Sequence, residues 1–386
     1  MYLDHNAGGR VRPEVAAVLA DWLRTPAGNP SSLHSAGRRT RAAIEEARAS
    51  VARLVGAQPA DVVFTSGGTE ANNLAVRGLA RSGDGIVSNA AEHASVLASA
   101  EAAHRQGAVV TMLSPGADGV LTPSVVADAV GPETAVVSIG WANGEIGAVQ
   151  PIAEIVAAVR ETNPNARVHS DAVQAVSQLP VDVAAADVDL LSISGHKLGA
   201  PAGIGALVLR RDVTPEALLV GGPQERERRA GTENAAGIVA FGCAARLALE
   251  EREAYATRVR AIKESVWALV SGAAAPIERF GTADGLPGTL AVAFPGLRGD
   301  ALAVALDLQG VAVSTGSACA AAAPEPSHVL RAIGCDDDVA LGALRLSFGP
   351  ELERADAEAA ARIVVDVVCA ARDKRAARAA GAHDAA

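Results

Sequence analysis

The chain has few cysteines and no excess of positive charge. Its 386 residues include four widely separated cysteines, with no Cys-x-x-Cys pair and no zinc-like spacing with histidine. A disulfide framework or a metal site is therefore not expected. The 34 basic residues are outnumbered by 44 acidic ones, giving a formal net charge of −10. This balance argues against nucleic acid or an anionic membrane as a partner and leaves proteins and small molecules.

Long apolar runs are also missing. No stretch of about 18 apolar residues occurs, and Met1 is followed directly by Tyr-Leu-Asp-His rather than by a secretory signal. We therefore expect a cytoplasmic protein without a membrane span. Hydrophobic residues make up 49% of the 386 positions. That length exceeds what one core usually serves, so a large domain with a smaller one is expected.

The first two thirds of the chain alternate short apolar runs with segments of helical periodicity, the earliest at 13–24 and 35–55. This alternation predicts an α/β fold, a large and mostly parallel seven-stranded sheet with helices on both faces. The predicted strands are 62–65, 86–88, 109–113, 135–140, 167–171, 188–194 and 204–209.

A long helical segment at 235–273 leads from this large domain into a second one, predicted to be a smaller α+β domain. We place the large domain at 13–255 and the small domain at 1–12 plus 256–375, and we expect residues 376–386 to be a frayed tail. The small domain has predicted strands at 290–294, 311–314 and 344–348 and predicted helices at 299–309 and 351–372.

Lys197 closes the tetrad Ser194-Gly195-His196-Lys197, which follows a predicted strand. Ligands bind at strand ends in α/β sheets, and a lysine there can lose hydration and become a neutral amine. Such an amine can form a Schiff base with an aldehyde cofactor. The alternative is a solvated lysine on a loop, and the tetrad alone does not decide between the two.

Residues 62–70 form a predicted strand, a turn of small residues and the start of a helix at about Thr69. The free N–H groups and positive end of that helix could bind a phosphate, with the Thr69 hydroxyl as a further donor. An ordinary strand-to-helix turn is the alternative. The segment is neither a P-loop nor a Gly-x-Gly-x-x-Gly dinucleotide motif, which argues against nucleoside triphosphates and NAD.

Asp171 and His93 each lie at the end of another predicted strand. A buried aspartate needs a cationic partner, such as the protonated nitrogen of a pyridoxal phosphate ring, although Asp171 could instead cap a helix. An imidazole at His93 could stack on a planar ring and move protons. Because the turn, His93, Asp171 and Lys197 all follow predicted strands, they could meet on one sheet edge.

The chain resembles the cysteine desulfurases of the NifS/IscS type, which are fold-type I pyridoxal phosphate enzymes, over nearly its whole length. The shared motifs are Tyr2-Leu3-Asp4-His5-Asn6-Ala7, Thr65-Ser66-Gly67-Gly68-Thr69-Glu70-Ala71-Asn72-Asn73, Glu92-His93, Asp171-Ala172-Val173-Gln174, Ser194-Gly195-His196-Lys197, Arg229-Ala230-Gly231-Thr232-Glu233-Asn234, Thr315-Gly316-Ser317-Ala318-Cys319, Glu325-Pro326-Ser327 and Leu344-Arg345-Leu346-Ser347.

The resemblance implies a role for each matching residue. Lys197 would hold pyridoxal 5'-phosphate covalently and remove the substrate's alpha proton. The ring would contact Asp171 at its nitrogen, Gln174 at its hydroxyl oxygen and His93 on its face. The residues implied in binding the phosphate are Gly68, Thr69, Ser194, His196 and, from the neighbouring subunit of a homodimer, Thr232. Those implied in binding the substrate are Arg345, at its carboxylate, and Asn143.

Cys319 lies among Gly, Ser and Ala residues, a composition typical of a loop. By resemblance its thiolate takes sulfur from L-cysteine, leaving alanine and a persulfide that passes to an iron–sulfur scaffold or another thiolation pathway. Two positions depart from the family pattern: Gly144 where a second asparagine is usual, and Gly8-Gly9 where two threonines often occur. Without the asparagine at 144, the strength of substrate binding is not settled by the resemblance. Gly8 and Gly9 add flexibility near the expected substrate entrance.

Two other functions stay open. The first is a selenocysteine lyase, or another pyridoxal phosphate lyase or aminotransferase, on the same fold. Cys319 favours desulfuration over these. The second is a non-catalytic interaction protein that kept the fold, for which the two glycine departures would be symptoms.

Overall fold

A seven-stranded sheet organises the larger part of the protein. The structure is a computed structural model that describes residues 1–25, 27–210, 213–315 and 325–383. The strand order is β1-β7-β6-β5-β4-β2-β3, in which β7 runs antiparallel to both neighbours and the other pairs are parallel. The strands are β1 (Val62–Thr65), β2 (Gly85–Asn89), β3 (Val109–Leu113), β4 (Thr134–Ser138), β5 (Arg167–Asp171), β6 (Leu190–Ser194) and β7 (Gly205–Leu209). The predicted α/β fold is confirmed.

Helices cover both faces of this sheet, and β1, β6 and β7 are buried along their whole length. Strands that are covered on both faces consist of continuous apolar runs, which is why these three strands could be predicted from the sequence. The helices are α1 (Pro13–Arg24), α2 (Ser35–Leu54), α3 (Gly68–Leu79), α4 (Ala94–His104), α5 (Pro123–Asp128), α6 (Ile152–Thr162) and α7 (Ala235–Ala273).

A second hydrophobic core surrounds an antiparallel sheet of order β10-β9-β8. Helix α7 reaches it, since Phe241 belongs to the first core and Val259 to the second. Leu3 is also buried in the second core. The elements here are β8 (Glu278–Phe280), β9 (Thr289–Ala293), β10 (Ala343–Ser347), α8 (Gly299–Asp307), α9 (His328–Ala332), α10 (Asp337–Ala340) and α11 (Arg354–His383).

The N-terminal segment runs beside β10 and ends next to the large sheet. Asp4 forms an isolated bridge with Ser347, and Tyr2 forms one with Ala312. Because Lys197 also contacts this segment through Asn6, the segment joins the two cores at the site. The division of the chain at residue 255 stays a prediction.

Two predicted features differ from the structure. The segment 311–314, predicted as a strand, forms only isolated bridges, because the N-terminal segment and Arg345 offer it single pairings. The tail expected to fray from 376 is helical as far as His383, since its Ala and Arg residues are strong helix formers that extend a packed helix. None of the described helices combines the length and the apolarity needed to span a membrane.

Candidate active site

Lys197 ends a short 3-10 turn that follows β6. Its Nζ donates hydrogen bonds to the backbone carbonyl oxygens of Asn6 and Ala7, the second at 2.9 Å. Burial lowers the pKa of Lys197 to about 8, and the guanidinium of Arg345 acts in the same direction. An amine with this pKa is partly neutral in mildly alkaline solution, as a nucleophile or a general base has to be.

Asp171 lies at the carboxyl end of β5 and is only 9% exposed. Its Oδ2 accepts a hydrogen bond from Asn72 Nδ2 at 2.6 Å, and its Oδ1 accepts one from the backbone N–H of Val173 at 2.9 Å. Within the described ranges, no lysine, arginine or histidine forms an ion pair with Asp171. A buried carboxylate without a direct ion pair suits a protonated ring nitrogen.

His93 is linked to Asp171 by two intermediate side chains. Asn72 Nδ2 also donates to Ser95 Oγ at 2.9 Å, and that hydroxyl lies 2.7 Å from His93 Nδ1. His93 Nδ1 also accepts from the backbone N–H of Ser95 at 3.1 Å. The proton of the neutral imidazole is therefore on Nε2, the nitrogen free to act on a ligand.

Asn72 is a site residue that we did not single out from the sequence. It is 1% exposed and lies on the buried face of α3, among alanines and Leu74. A buried amide among apolar neighbours needs hydrogen-bond partners. Its position in the helix is therefore a signal that could have been used.

The turn between β1 and α3 is open to an anion. Gly68 is the first residue of α3, and its N-cap, Gly67, supplies no capping side chain, so the first N–H groups of the helix can serve a ligand. A Cβ at Gly68 would lie 2.8 Å from Val173 Cγ2 and 3.7 Å from Ser194 Cβ. The turn therefore packs against the ends of β5 and β6.

Ser194 and His196 add side-chain donors beside this turn. Ser194 Oγ is 2.8 Å from His196 Nδ1. Burial lowers the pKa of His196 to about 4, so its ring is neutral near pH 7. With the turn at one side and Asp171 at the other, these residues fit a group with an anionic end and a cationic end. Pyridoxal phosphate is such a group.

Asn6 connects the predicted site residues. Its backbone oxygen accepts hydrogen bonds from Lys197 Nζ and, at 3.0 Å, from Gln174 Nε2. Its own Nδ2 donates to the Gly144 carbonyl oxygen at 2.9 Å and to Thr289 Oγ1 at 2.8 Å. A single N-terminal residue thus fixes Lys197, Gln174 and the loop at Gly144 relative to one another.

Arg345 reaches the site from the middle of β10. Its Nη2 lies 2.7 Å from Asp4 Oδ1, and its Nη1 donates to the carbonyl oxygen of Gly144 at 3.2 Å. Both side chains of the pair with Asp4 are largely buried. Arg345 therefore binds a carboxylate of the chain itself, and the substrate contact that the resemblance implies for it stays a prediction.

Asn143 uses its side chain within the protein. Its Oδ1 accepts from the backbone N–H groups of Glu145 at 2.8 Å and Ile146 at 3.0 Å, and its Nδ2 donates to the Ala91 carbonyl oxygen at 2.8 Å. These bonds fix the loop that contains Gly144. The substrate contact that the resemblance implies for Asn143 is not among them and stays a prediction.

Two of the unusual glycines are sites of close packing. A Cβ at Gly144 would lie 2.7 Å from the Gln174 Cγ, and a Cβ at Gly9 would lie 2.5 Å from the His5 Cε1. Gly8 has no such neighbour within 4 Å. At positions 9 and 144, glycine therefore makes room for neighbouring side chains.

Cys319 lies outside the described residues, but the segments on both sides of it are attached to the site. Ser314 exchanges backbone hydrogen bonds with Arg345, at 3.2 and 2.7 Å. His328 Nε2 lies 2.9 Å from the carbonyl oxygen of Glu92, the residue before His93. Thr69 and Thr232, the other predicted phosphate ligands, are both exposed.

Comparison with known proteins finds relatives along nearly the whole chain. Residues 1–359 match the family model described as Aminotransferase class-V. The chain is 42% identical to an IscS-like cysteine desulfurase of Mycobacterium tuberculosis, over 96% of this chain and 97% of that relative. It is 41% identical to a putative cysteine desulfurase IscS 1 of Bacillus subtilis, over 95% and 98% of the two chains.

Among solved structures, one described as a NifS-like protein superposes with a TM-score of 0.89 and 29% identity. It covers 96% of this chain and 99% of the other. The match to the family model and the identity to these relatives each extend over most of the chain. The chain therefore belongs to the class-V aminotransferase family and, within it, to the cysteine desulfurases of the NifS/IscS type.

Proposed function

We propose that this protein is a cysteine desulfurase that uses pyridoxal 5'-phosphate and receives the sulfur of L-cysteine on Cys319. Its substrate is cysteine, and its product sulfur passes to an acceptor. One observation supports the residue roles best: Lys197, Gln174 and Arg345 all converge on the segment from Asp4 to Ala7.

The cofactor would lie between Asp171 and the turn before α3. Asp171 would hold a proton on the ring nitrogen, and Gly68, Thr69, Ser194 and His196 would bind the phosphate. When bound, the cofactor supplies an electron sink for the carbanion formed at the substrate's alpha carbon. Its imine-forming partner in the protein would be Lys197.

Lys197 would also move the alpha proton of the substrate. The lowered pKa lets Nζ accept this proton near pH 8. The two carbonyl oxygens that accept from Nζ restrict where the amine points. His93, whose Nε2 carries the proton of the neutral ring, would face the ring and assist proton transfer.

Arg345 would bind the substrate carboxylate as a two-pronged donor. Asp4 occupies that guanidinium, so substrate binding would exchange one carboxylate for another. The free-energy cost of this exchange is small, because the largely buried Arg345 guanidinium keeps a carboxylate partner throughout. It also predicts that Asp4 moves when substrate binds.

Cys319 would then take the sulfur. Its thiolate attacks the substrate sulfur and forms an S–S bond, while the carbon–sulfur bond breaks. The bonding electron pair stays on carbon, which gains a proton and becomes the methyl group of alanine. The persulfide on Cys319 would pass to a protein acceptor such as an iron–sulfur scaffold.

A homodimer would complete the site by bringing Thr232 of one subunit to the phosphate of the other. Two exposed apolar side chains of the large domain support such contact: Leu33 is 90% exposed and Val220 is 85% exposed. Val220 adjoins Leu219, whose carbonyl oxygen accepts from the backbone N–H of Ala230 at 3.1 Å. The cytoplasmic location expected from the sequence stays a prediction.

The test measures alanine and sulfide released from L-cysteine with a dithiol reductant, in wild type and in Cys319→Ala. Wild type should form both products, and the variant should bind cysteine, as a change in the cofactor spectrum, without releasing sulfide. Cys335→Ala is the matched control, because burial raises the pKa of that thiol and it should keep wild-type rates. Equal sulfide release by Cys319→Ala and wild type would exclude Cys319 as the acceptor.

A further inference from the structure

The loop that leads to Thr232 contains three consecutive residues with left-handed backbone conformation. They are Glu225, with φ 46°, Arg226, with φ 57°, and Glu227, with φ 65°. None is glycine, and each carries a Cβ that disfavours this conformation. Such a backbone persists only where its surroundings hold it, and it is typical of functional loops.

A buried ion pair holds the first of these residues. Glu225 binds Arg48 through two hydrogen bonds, each 2.8 Å long, and both side chains are almost fully buried. Glu225 Oε2 also accepts from the backbone N–H of Phe64 at 2.8 Å, and Arg48 donates to the carbonyl oxygen of Val62 at 2.9 Å. The pair therefore occupies the free edge of β1, which is the outermost strand at its end of the sheet.

A second contact fixes the same loop to the turn that follows β1. Arg229 Nε donates to Glu70 Oε1 at 3.0 Å. The other oxygen of Glu70 accepts from the backbone N–H of Ser66 at 2.8 Å. The loop is thus attached before the phosphate turn, at Phe64, and after it, at Glu70, and Thr232 follows Arg229 by three residues.

We propose that Glu225, held by Arg48, is a positioning residue for Thr232. This inference rests on the proposed function, in which Thr232 reaches the phosphate of the neighbouring subunit. The position of the loop is set by the phosphate turn of its own subunit. Each subunit's turn therefore contributes to two phosphate sites. It binds its own phosphate through the helix N–H groups, and it fixes the loop that brings Thr232 to the phosphate of the partner subunit.

The experiment is a double-mutant cycle on cofactor affinity in the full-length protein. Glu225→Gln, Thr232→Ala and the double variant are titrated with pyridoxal 5'-phosphate, and binding is followed by absorbance and by equilibrium dialysis. Each single variant should bind the cofactor about tenfold more weakly than wild type. The double variant should be no weaker than the weaker single one, because residues of one network are not additive.

Asp189→Asn is the matched control. Asp189 is a fully buried carboxylate that pairs with Arg160 and accepts from the backbone N–H of Val168 at 2.8 Å, on β5 rather than β1. It should lower the midpoint of thermal unfolding of the cofactor-free protein, as Glu225→Gln does. Its effect on cofactor affinity should be small and additive with that of Thr232→Ala.

Additive effects of Glu225→Gln and Thr232→Ala would overturn the positioning role while leaving Thr232 as a phosphate ligand. Full cofactor affinity in Thr232→Ala would remove the role of Thr232 and the inference with it. Loss of cysteine turnover in wild type would instead contradict the proposed function. If Glu225→Gln does not fold, Glu70→Gln, which breaks only the contact with Arg229, enters the cycle in its place with the same expectation.

Discussion

The edge of β1 and the end of β5 each contain a buried carboxylate, and the two are neutralised in different ways. At β1, Glu225 is bound on both oxygens by Arg48. At β5, Asp171 receives hydrogen bonds from Asn72 and Val173 but no ion pair from the described part of the chain. A charge paired within the chain serves the fold, whereas a carboxylate without a direct ion pair is available to a ligand.

Glu92 shows a third solution, which is to remain uncharged. Burial, opposed by the Gly140 N–H that donates to Oε1 at 2.7 Å and helped by the nearby Asp171, raises the pKa of Glu92 to about 8. Glu92 is therefore protonated at neutral pH. Asp171, which acts on Glu92, lies at the proposed cofactor position.

The largest expected effect comes from Asp171→Asn. Cysteine turnover should fall about 10³-fold, the size found when one preorganised electrostatic partner is removed. The stability of the cofactor-free protein should change little, because the amide keeps the bond from Val173 and Asn72 can turn its Oδ1, which has no partner within the described residues, toward it. Turnover assays and urea unfolding measure the two effects, and comparable losses in both would make Asp171 a structural residue.

The reverse outcome is expected at Glu225. Arg48→Met should destabilise the cofactor-free protein by about 3 kcal/mol, because it leaves Glu225 charged and buried without its cation. Adding Glu225→Leu should recover part of that loss, since an apolar pair replaces an unpaired charge. Urea unfolding of both variants is the measurement, and a double variant less stable than Arg48→Met would contradict it.

Glu92 gives a smaller effect that depends on pH. Its pKa rises from 4.5 to about 8 on folding, so between these values the folded protein keeps a proton that the unfolded chain loses. The stability this group contributes is therefore complete below pH 4.5 and is lost as pH rises toward 8. Glu92→Gln removes the titration while its amide oxygen can still accept from Gly140.

The free energy of unfolding of Glu92→Gln should match wild type near pH 4 and exceed it by on the order of 4 kcal/mol at pH 8.5. Denaturation at the two pH values, on cofactor-free protein, measures this. The same difference between variant and wild type at both pH values would show that Glu92 does not titrate in this window.

Sequence reasoning placed Lys197, Asp171 and the turn at Gly68 correctly at strand ends, because continuous apolar runs mark buried strands and the residues after them share one edge. It did not find Asn6 or Asn72 as connecting residues. Their partners come from distant segments: Asn72 lies 99 residues from Asp171 in the chain, and Asn6 lies 191 residues from Lys197. No local pattern encodes such contacts.

The loop at 225–227 shows the same limit in the backbone. Glu, Arg and Glu carry no signal for left-handed conformation, which glycine or asparagine usually provides. The conformation depends on Arg48, which lies 177 residues away in the sequence. The short strand Glu278–Phe280 and the helices α9 and α10 were also not predicted, because three to five residues hold too little periodicity to recognise.

The smallest expected effect concerns Gly144. It tests whether an asparagine at this position, usual in the family, would disturb only Gln174, the residue implied at the ring hydroxyl. In Gly144→Asn the new Cβ would lie 2.7 Å from Gln174 Cγ, so Gln174 would have to leave the Asn6 carbonyl oxygen that it reaches at 3.0 Å. Loss of one neutral hydrogen bond is worth about 1 kcal/mol, which corresponds to roughly fivefold in kcat/KM for cysteine.

Gln174→Ala removes the side chain that would collide, so it separates crowding from any new contact made by the asparagine. In that background Gly144→Asn should cost nothing further, and Gly144→Ala should behave like Gly144→Asn in the wild-type background, because the collision begins at Cβ. Steady-state kinetics on the four variants measure both expectations. A gain in kcat/KM for Gly144→Asn alone would mean that Gln174 moves freely and that the asparagine adds a substrate contact this chain lacks.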